Sequence, residues 1–209
     1  MTLRIPHSES DNIKWLEKEL QHRHSYKNPA WFYKDCLKRL ISFSRNGRFL
    51  EIGPGNGIMT RLVAEKIKPY EIVCLDSSGE LIVPAEEYID EAGLGNRISF
   101  KKGKVEDSIK LNSLGKFNLI YSSYSLHHWD DAEQGFSNLY NSLSQEGILF
   151  IYDFYRSGIF SRIKAGGGIG ASVRAAYTPE EIAVILNKLN VKAYNIRTKY
   201  LHMEITVWK

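Results

Sequence analysis

The sequence predicts an α/β fold built around a parallel sheet, and three observations carry that prediction. From Arg48 onward, short apolar runs bounded by Gly, Asp and Ser alternate with stretches of helical periodicity. A glycine-rich turn, Leu50-Glu51-Ile52-Gly53-Pro54-Gly55-Asn56-Gly57, stands where the first strand gives way to a helix. The chain then closes with two segments of β-branched and aromatic alternation that read as a hairpin. Strands alternating with helices imply crossover connections that lay helices on both faces of the sheet.

Ahead of the sheet, residues 10–26 carry Ile13, Trp15, Leu16 and Leu20 at helical spacing. A second helix starts at Asn28 with Pro29 in its first turn, and Trp31, Phe32, Cys36, Leu37, Leu40 and Ile41 form one stripe until residues 44–47 stop it. Residues 1–46 are thus expected to form a helical annex, and residues 47–209 the main domain. Strands are predicted at residues 48–52, 71–75, 97–101, 117–122 and 148–153, and helices at 57–66, 78–91 and 131–143. Residues 112–115 are too short to assign. Thr-Pro-Glu-Glu opens a capped helix over 178–189, and the closing strands cover 191–197 and 200–207. Gly166, Gly167, Gly168 and Gly170 have the composition of one flexible loop.

Composition bounds the function classes. A chain of 209 residues with 43% hydrophobic and 25% charged residues is an ordinary globular protein, which excludes a disordered or collagen-like chain. The net charge of +4 comes from scattered basic residues, so no nucleic-acid-binding tail is expected. The longest apolar stretch, residues 147–154, contains Asp153 and falls far short of the roughly 20 residues of a membrane-spanning helix. His7, Glu9 and Asp11 interrupt the beginning of the sequence, so no secretory leader is expected and the cytoplasm is the expected compartment. Cys36 and Cys74 lie in apolar segments and read as buried free thiols.

The glycine turn is the informative segment. Glycines there let the backbone turn sharply and let a ligand approach the peptide groups. A dinucleotide fingerprint needs G-x-G-x-x-G, but the third glycine comes one residue early, at Gly57, with Ile58 in its place. No phosphate loop of the G-x-x-x-x-G-K-[ST] kind occurs. Glu51, two residues before Gly53, brings a carboxylate that repels pyrophosphate and suits a ligand bearing ammonium and sulfonium charge. Asp76, nineteen residues beyond Gly57, ends the second strand, where a carboxylate can accept both ribose hydroxyls or instead cap the next helix.

These residues resemble the class I S-adenosylmethionine-dependent methyltransferases, in particular the small-molecule branch containing ubiquinone and menaquinone biosynthesis enzymes. Gly103-Lys104-Val105-Glu106-Asp107, the stretch from Ser122 through Tyr124, His127, His128 and Trp129 to Asp130, and Glu146-Gly147 add to the likeness, which covers roughly residues 48–209. The resemblance implies a Rossmann-like three-layer sandwich, with a seven-stranded, mostly parallel sheet of order 3-2-1-4-5-7-6 and an antiparallel last strand. It further implies that Glu51 and the backbone of Gly53, Pro54, Gly55, Asn56 and Gly57 hold the methionine part. Asp76 would hold the ribose, Val105 and Glu106 the adenine edge, Ser77 the adenine face, and Ser123 would lie beside the methionine. Lys104 departs from the family, which commonly has an acid there; lysine accepts no hydrogen bond, which shifts adenine recognition to Glu106, Asp107 or backbone. Ser77 replaces a bulkier apolar residue.

Methyl transfer needs alignment more than activation, with a base only where the acceptor must lose a proton. Candidates lie beyond the carboxyl ends of the strands: Tyr124, His127 and His128 after the fourth, Asp153 and Tyr155 at the fifth. His127 or His128 is read either as a general base or as a ring that packs or caps, and Asp153 either as a base or as a loop anchor. Adjacent histidines are expected to point apart and no third ligand is near, so no metal is expected. The annex and the connection 154–177 would roof a substrate site, with Tyr33, Tyr155 and Arg174 as contacts for an aromatic or anionic small molecule. Two readings stand beside this one: a methyltransferase acting on RNA or protein, and a non-catalytic adenosyl-ligand-binding protein. Nucleic acid is not the expected partner, and nothing in the sequence indicates an oligomeric state.

Overall fold

The computed structural model describes residues 3–6, 30–43, 46–157 and 169–209, with side chains in the first helix from Tyr33 onward. The predicted helix at 10–26 and residues 158–168 of the connection after the fifth strand lie outside the described residues.

Within them the chain runs α1 (Ala30–Ser42), β1 (Arg48–Ile52), α2 (Ile58–Lys66), β2 (Glu71–Asp76), α3 (Gly79–Asp90), β3 (Ile98–Lys102), α4 (Ser108–Leu114), β4 (Phe117–Ser123), α5 (Ala132–Ser142), β5 (Leu143–Phe154), α6 (Ile169–Ala175), α7 (Pro179–Lys188), β6 (Ala193–Lys199) and β7 (His202–Trp208). The seven strands form one sheet in the order β3-β2-β1-β4-β5-β7-β6. β1 pairs in parallel with β2 and β4, β2 with β3, and β4 with β5, whereas β7 runs antiparallel to both β5 and β6. This is the sheet order and strand sense that the resemblance implied.

Two apolar clusters sandwich the sheet. On one face Cys36 and Leu40 of α1, Met59 and Val63 of α2, and Ala85 and Ile89 of α3 pack on Phe49, Cys74, Tyr121 and Phe150. On the other, Leu111 of α4, Phe136 and Leu139 of α5, and Ile182 and Leu186 of α7 pack on Leu50, Val73, Ile120 and Ile205. Because side chains alternate across a strand, β1 sends Phe49 to the first face and Leu50 to the second, so a central strand is apolar on both sides. Glu51 is the exception, a carboxylate buried in the middle of that run. α1 shares the cluster of α2, and Arg39 to Glu204 (3.1 Å) and Lys199 to Asp35 (2.8 Å) tie it to the terminal hairpin. β6, at the sheet edge, is mostly exposed and carries Arg197 and Lys199, charges that discourage pairing with another chain.

Three elements differ from expectation. α4 forms where no assignment was possible: it has seven residues and one buried apolar side chain, Leu111, and its start is fixed by Asp107, whose carboxylate accepts the Lys110 N–H at 2.9 Å. β5 begins five residues before the predicted start, because the pairing steps from Phe117↔Leu143 to Leu119↔Ile148 across a bulge at Glu146 and Gly147. The connection 154–177 is not loop throughout, since residues 169–175 form α6, with Val173 and Ala175 buried and Gly170 inside the helix. α7 begins as predicted, on a capping box between Thr178 and Glu181 with Pro179 behind it.

Candidate active site

The carboxyl ends of β1, β2, β4 and β5 converge on the glycine turn. Gly53, Gly55 and Gly57 have φ of 68°, 54° and 78°, the left-handed region that favours glycine. At Gly53 a Cβ would also stand 2.3 Å from Ser125 Oγ, so the turn after β4 leaves no room there for a side chain. At Gly55 a Cβ would meet nothing within 4 Å, so this peptide borders open space that a ligand can fill. Pro54 and Asn56 are buried, and Asn56 Oδ1 accepts the Ile58 N–H at 3.3 Å.

Asp76 closes this turn from the next strand. Its Oδ2 accepts the Gly55 N–H at 3.2 Å and its Oδ1 the Ser78 N–H at 2.8 Å. Burial pushes its carboxyl above the usual range, and the backbone bonds to Ser78 and Gly55 oppose that shift. Each carboxylate oxygen has a second lone pair, so the group can hold the turn and still accept hydroxyls. Ser77 beside it is exposed.

Glu51 is enclosed. Its Oε2 accepts Thr60 Oγ1–H at 2.6 Å, Tyr121 O–H at 2.9 Å and Cys74 S–H at 3.8 Å, while Oε1 is buried without a partner. Burial pushes its pKa up to about 7, against the pull of those hydrogen bonds. At neutral pH the side chain is therefore divided between its neutral and charged forms, where the sequence reading gave it a full negative charge.

After β3, Val105 is buried and Asn138 of α5 donates to the carbonyls of Val105 and Glu106 at 3.0 and 2.9 Å. Glu106 Oε1 accepts the N–H groups of Asp130 and Asp131 at 2.9 and 3.2 Å. Lys104, where the resembled family commonly has an acid, points to Asp130, Nζ to Oδ2 2.7 Å, in a pair exposed on both sides.

Beyond β4, Tyr124 occupies the left-handed region at φ 56°, a conformation a tyrosine adopts only under surrounding constraint. Its ring centre lies 5.9 Å from Tyr33, 5.5 Å from Tyr152, 5.0 Å from Phe154 and 5.7 Å from His202. Burial raises its hydroxyl pKa, so it remains a neutral phenol. His127 Nδ1 stands 2.7 Å from Asp153 Oδ1, and the His127 and Phe154 backbone N–H groups also donate to that carboxylate, at 3.0 and 2.6 Å. The His127 and His128 rings lie 4.2 Å apart; the expectation that neighbouring histidines point apart fails, because a 3-10 turn over Leu126–His128 brings the rings together. Among the described residues no group of three His, Cys, Asp or Glu side chains is placed to hold a metal.

Tyr33 and Tyr124 therefore meet, and Ser123 lies buried at the strand end beside them. Tyr155 instead packs against the cluster on the α5 face. Arg174 lies on α6, its carbonyl accepting the Ile5 N–H at 3.1 Å. Three groups escaped the sequence reading. Asn138 sits mid-helix with no motif. His202 stacks on Tyr152 and Phe154 with Nε2 buried and unpartnered, and burial lowers its pKa. Arg156, two residues beyond β5, is 3% exposed.

Residues 50–149 match the family described as a methyltransferase domain. The chain is 32% identical over 171 residues to a malonyl-[acyl-carrier protein] O-methyltransferase of Chlorobium phaeovibrioides, covering 78% of this chain and 63% of that protein. It is 24% identical over 144 residues to a demethylmenaquinone methyltransferase of Bacteroides fragilis, covering 68% and 57%. Each match spans less than two thirds of the relative's length. Among solved structures, a SAM-dependent methyltransferase from Aquifex aeolicus shares the fold with a TM-score of 0.67 at 14% identity, over 90% of this chain and 97% of that one.

Proposed function

We propose that this chain, whose residues 50–149 match a methyltransferase domain, transfers a methyl group from S-adenosylmethionine to a small-molecule acceptor by in-line displacement. The observation that carries the reading is the bond from the Gly55 N–H to Asp76 Oδ2, which joins a glycine turn bordering open space to an acid at the next strand end. When bound, the cofactor supplies an activated methyl on sulfonium.

The chain's own residues do the rest. The backbone of Gly53 to Gly57, with Pro54 and Asn56, receives the methionine part, near Glu51 and Ser123. Asp76 accepts the ribose hydroxyls, and Val105, Glu106 and Ser77 border the adenine. His127, whose Nδ1 lies 2.7 Å from Asp153 Oδ1, is the proposed general base toward the acceptor, oriented by that carboxylate. His128 lies against that ring, and Tyr124 orients the acceptor from the aromatic cluster that includes Tyr33. The acceptor is aromatic or anionic, met by Tyr33 and Arg174, whereas Tyr155, packed on the α5 face, is not among its contacts. No metal takes part, and the cytoplasm is the compartment; among the described residues no helix is long and apolar enough to cross a membrane.

Calorimetry with S-adenosylmethionine, S-adenosylhomocysteine and NAD tests the cofactor, and transfer of labelled methyl into small-mass and large-mass extract fractions tests the acceptor. Binding of both adenosyl ligands and label in the small-mass fraction are expected. Stabilisation by NAD alone overturns the reading.

A further inference from the structure

We propose that Arg156 is the receptor for an oxyanion, carboxylate or phosphate, carried by the methyl acceptor; the inference rests on the acceptor site proposed above. Its side chain is 1% exposed, and of its three nitrogens only Nη2 has a partner, Glu181 Oε1; Nε and Nη1 are buried without one. A guanidinium offers five N–H groups in two forks, one formed by Nε with Nη2 and one by Nη1 with Nη2. Glu181 contributes a single oxygen, because its Oε2 accepts the Thr178 N–H at 2.8 Å in the capping box of α7. It can fill one edge of the fork, and the other edge is left with donors and no acceptor.

Buried donors without acceptors are costly, and a charged group more so than a neutral one. An oxyanion reaching the unpartnered edge recovers that cost in a setting where water does not compete. Glu181 alone offsets one positive charge, but the neighbourhood holds a further one. Arg4 lies over the Tyr177 ring at 4.3 Å, and the Tyr177 carbonyl accepts the Arg156 backbone N–H at 3.2 Å. Arg4 also donates to the His127 carbonyl at 3.2 Å, so a chain of direct contacts joins Arg156 to the turn that carries the candidate base. Arg156 itself follows Asp153 by three residues at the carboxyl end of β5. The site thus takes the anionic end of an acceptor whose reactive atom faces His127.

The test is calorimetric titration of the full chain with malonate, with inorganic phosphate, and with chloride as an ionic-strength control, each with and without saturating S-adenosylhomocysteine. One of the two oxyanions is expected to bind and chloride not to, and whichever binds identifies the class. Arg156→Lys keeps the charge but loses the fork, and is expected to weaken that oxyanion about tenfold while S-adenosylhomocysteine binds as before. Thr178→Ala serves as the second variant: it disturbs Glu181 without touching Arg156 and should leave oxyanion binding in place. Failure of both oxyanions to bind a protein that takes up S-adenosylhomocysteine, or equal binding by Arg156→Lys, overturns the proposal. Loss of S-adenosylhomocysteine binding in the unmodified chain instead overturns the methyltransferase reading.

Discussion

Asp153 holds His127 at two points, Oδ1 lying 2.7 Å from the ring Nδ1 and Oδ2 accepting the backbone N–H of the same residue at 3.0 Å. One carboxylate thereby fixes both the path of the turn and the rotation of the imidazole. Asp153→Asn keeps the volume but places an amide donor against donors, forcing the ring toward the other tautomer. The expected outcome is a fall in turnover of about 100-fold, within the usual span for loss of acid-base help, with S-adenosylhomocysteine affinity nearly unchanged. Steady-state methyl transfer alongside calorimetry separates the two; unaltered turnover would remove the pair from the mechanism.

Asp76 is expected to act on affinity instead. Asp76→Ala removes the acceptor for Gly55 and Ser78 as well as the proposed ribose contact. Binding of S-adenosylhomocysteine should weaken by about 1.5 to 3 kcal/mol, the worth of hydrogen bonds to a charged group. Unchanged affinity in calorimetry would show that the ribose lies elsewhere.

Glu51 gives the ligand-free protein a pH dependence of known sign. Its carboxyl is raised from 4.5 to about 7 in the fold. Below pH 4.5 its contribution is fully present; between there and pH 7 the folded chain keeps a proton that the unfolded chain has lost, so stability declines as pH rises. The total is about 3 kcal/mol, from roughly 1.4 kcal/mol per pKa unit. Urea unfolding at pH 5 and pH 8 should show that Glu51→Gln lacks this decline and is the more stable protein at pH 8. An identical pH profile in the variant refutes the assignment.

Asn138 holds the loop that would border adenine. With Asn138→Ala the carbonyls of Val105 and Glu106 lose their shared donor, at a cost of about 2 kcal/mol in unfolding free energy. S-adenosylmethionine should bind several-fold more weakly, while turnover at saturation stays close to that of the parent. A variant with weakened folding but intact affinity would confine Asn138 to a structural role.

The glycine turn and Asp76 were legible because each is a local pattern, a strand end followed by residues with a required backbone or charge. The alternating elements were legible for the same reason. The bond between His127 and Asp153 spans 26 residues, from the turn after β4 to the end of β5, and sequence spacing has no term for it. Thr60, Cys74 and Tyr121 reach Glu51 from three different elements; only the sheet order brings them together. α4 escaped because seven residues contain less than two turns' worth of periodicity. Nothing in the sequence sets Arg156 apart from the other basic residues; its burial does.

The insertion of β7 between β5 and β6 also sets the order in which the molecule can be completed. β5 has β4 on one side, and among the described residues its other edge is covered only by residues 202–208. Until that last strand has been synthesised, the edge of Ile148, Phe150 and Tyr152 stays open to any passing strand. A nascent or prematurely stopped chain ending near residue 192 would carry the glycine turn and both candidate acids, yet it would be prone to self-association through that edge.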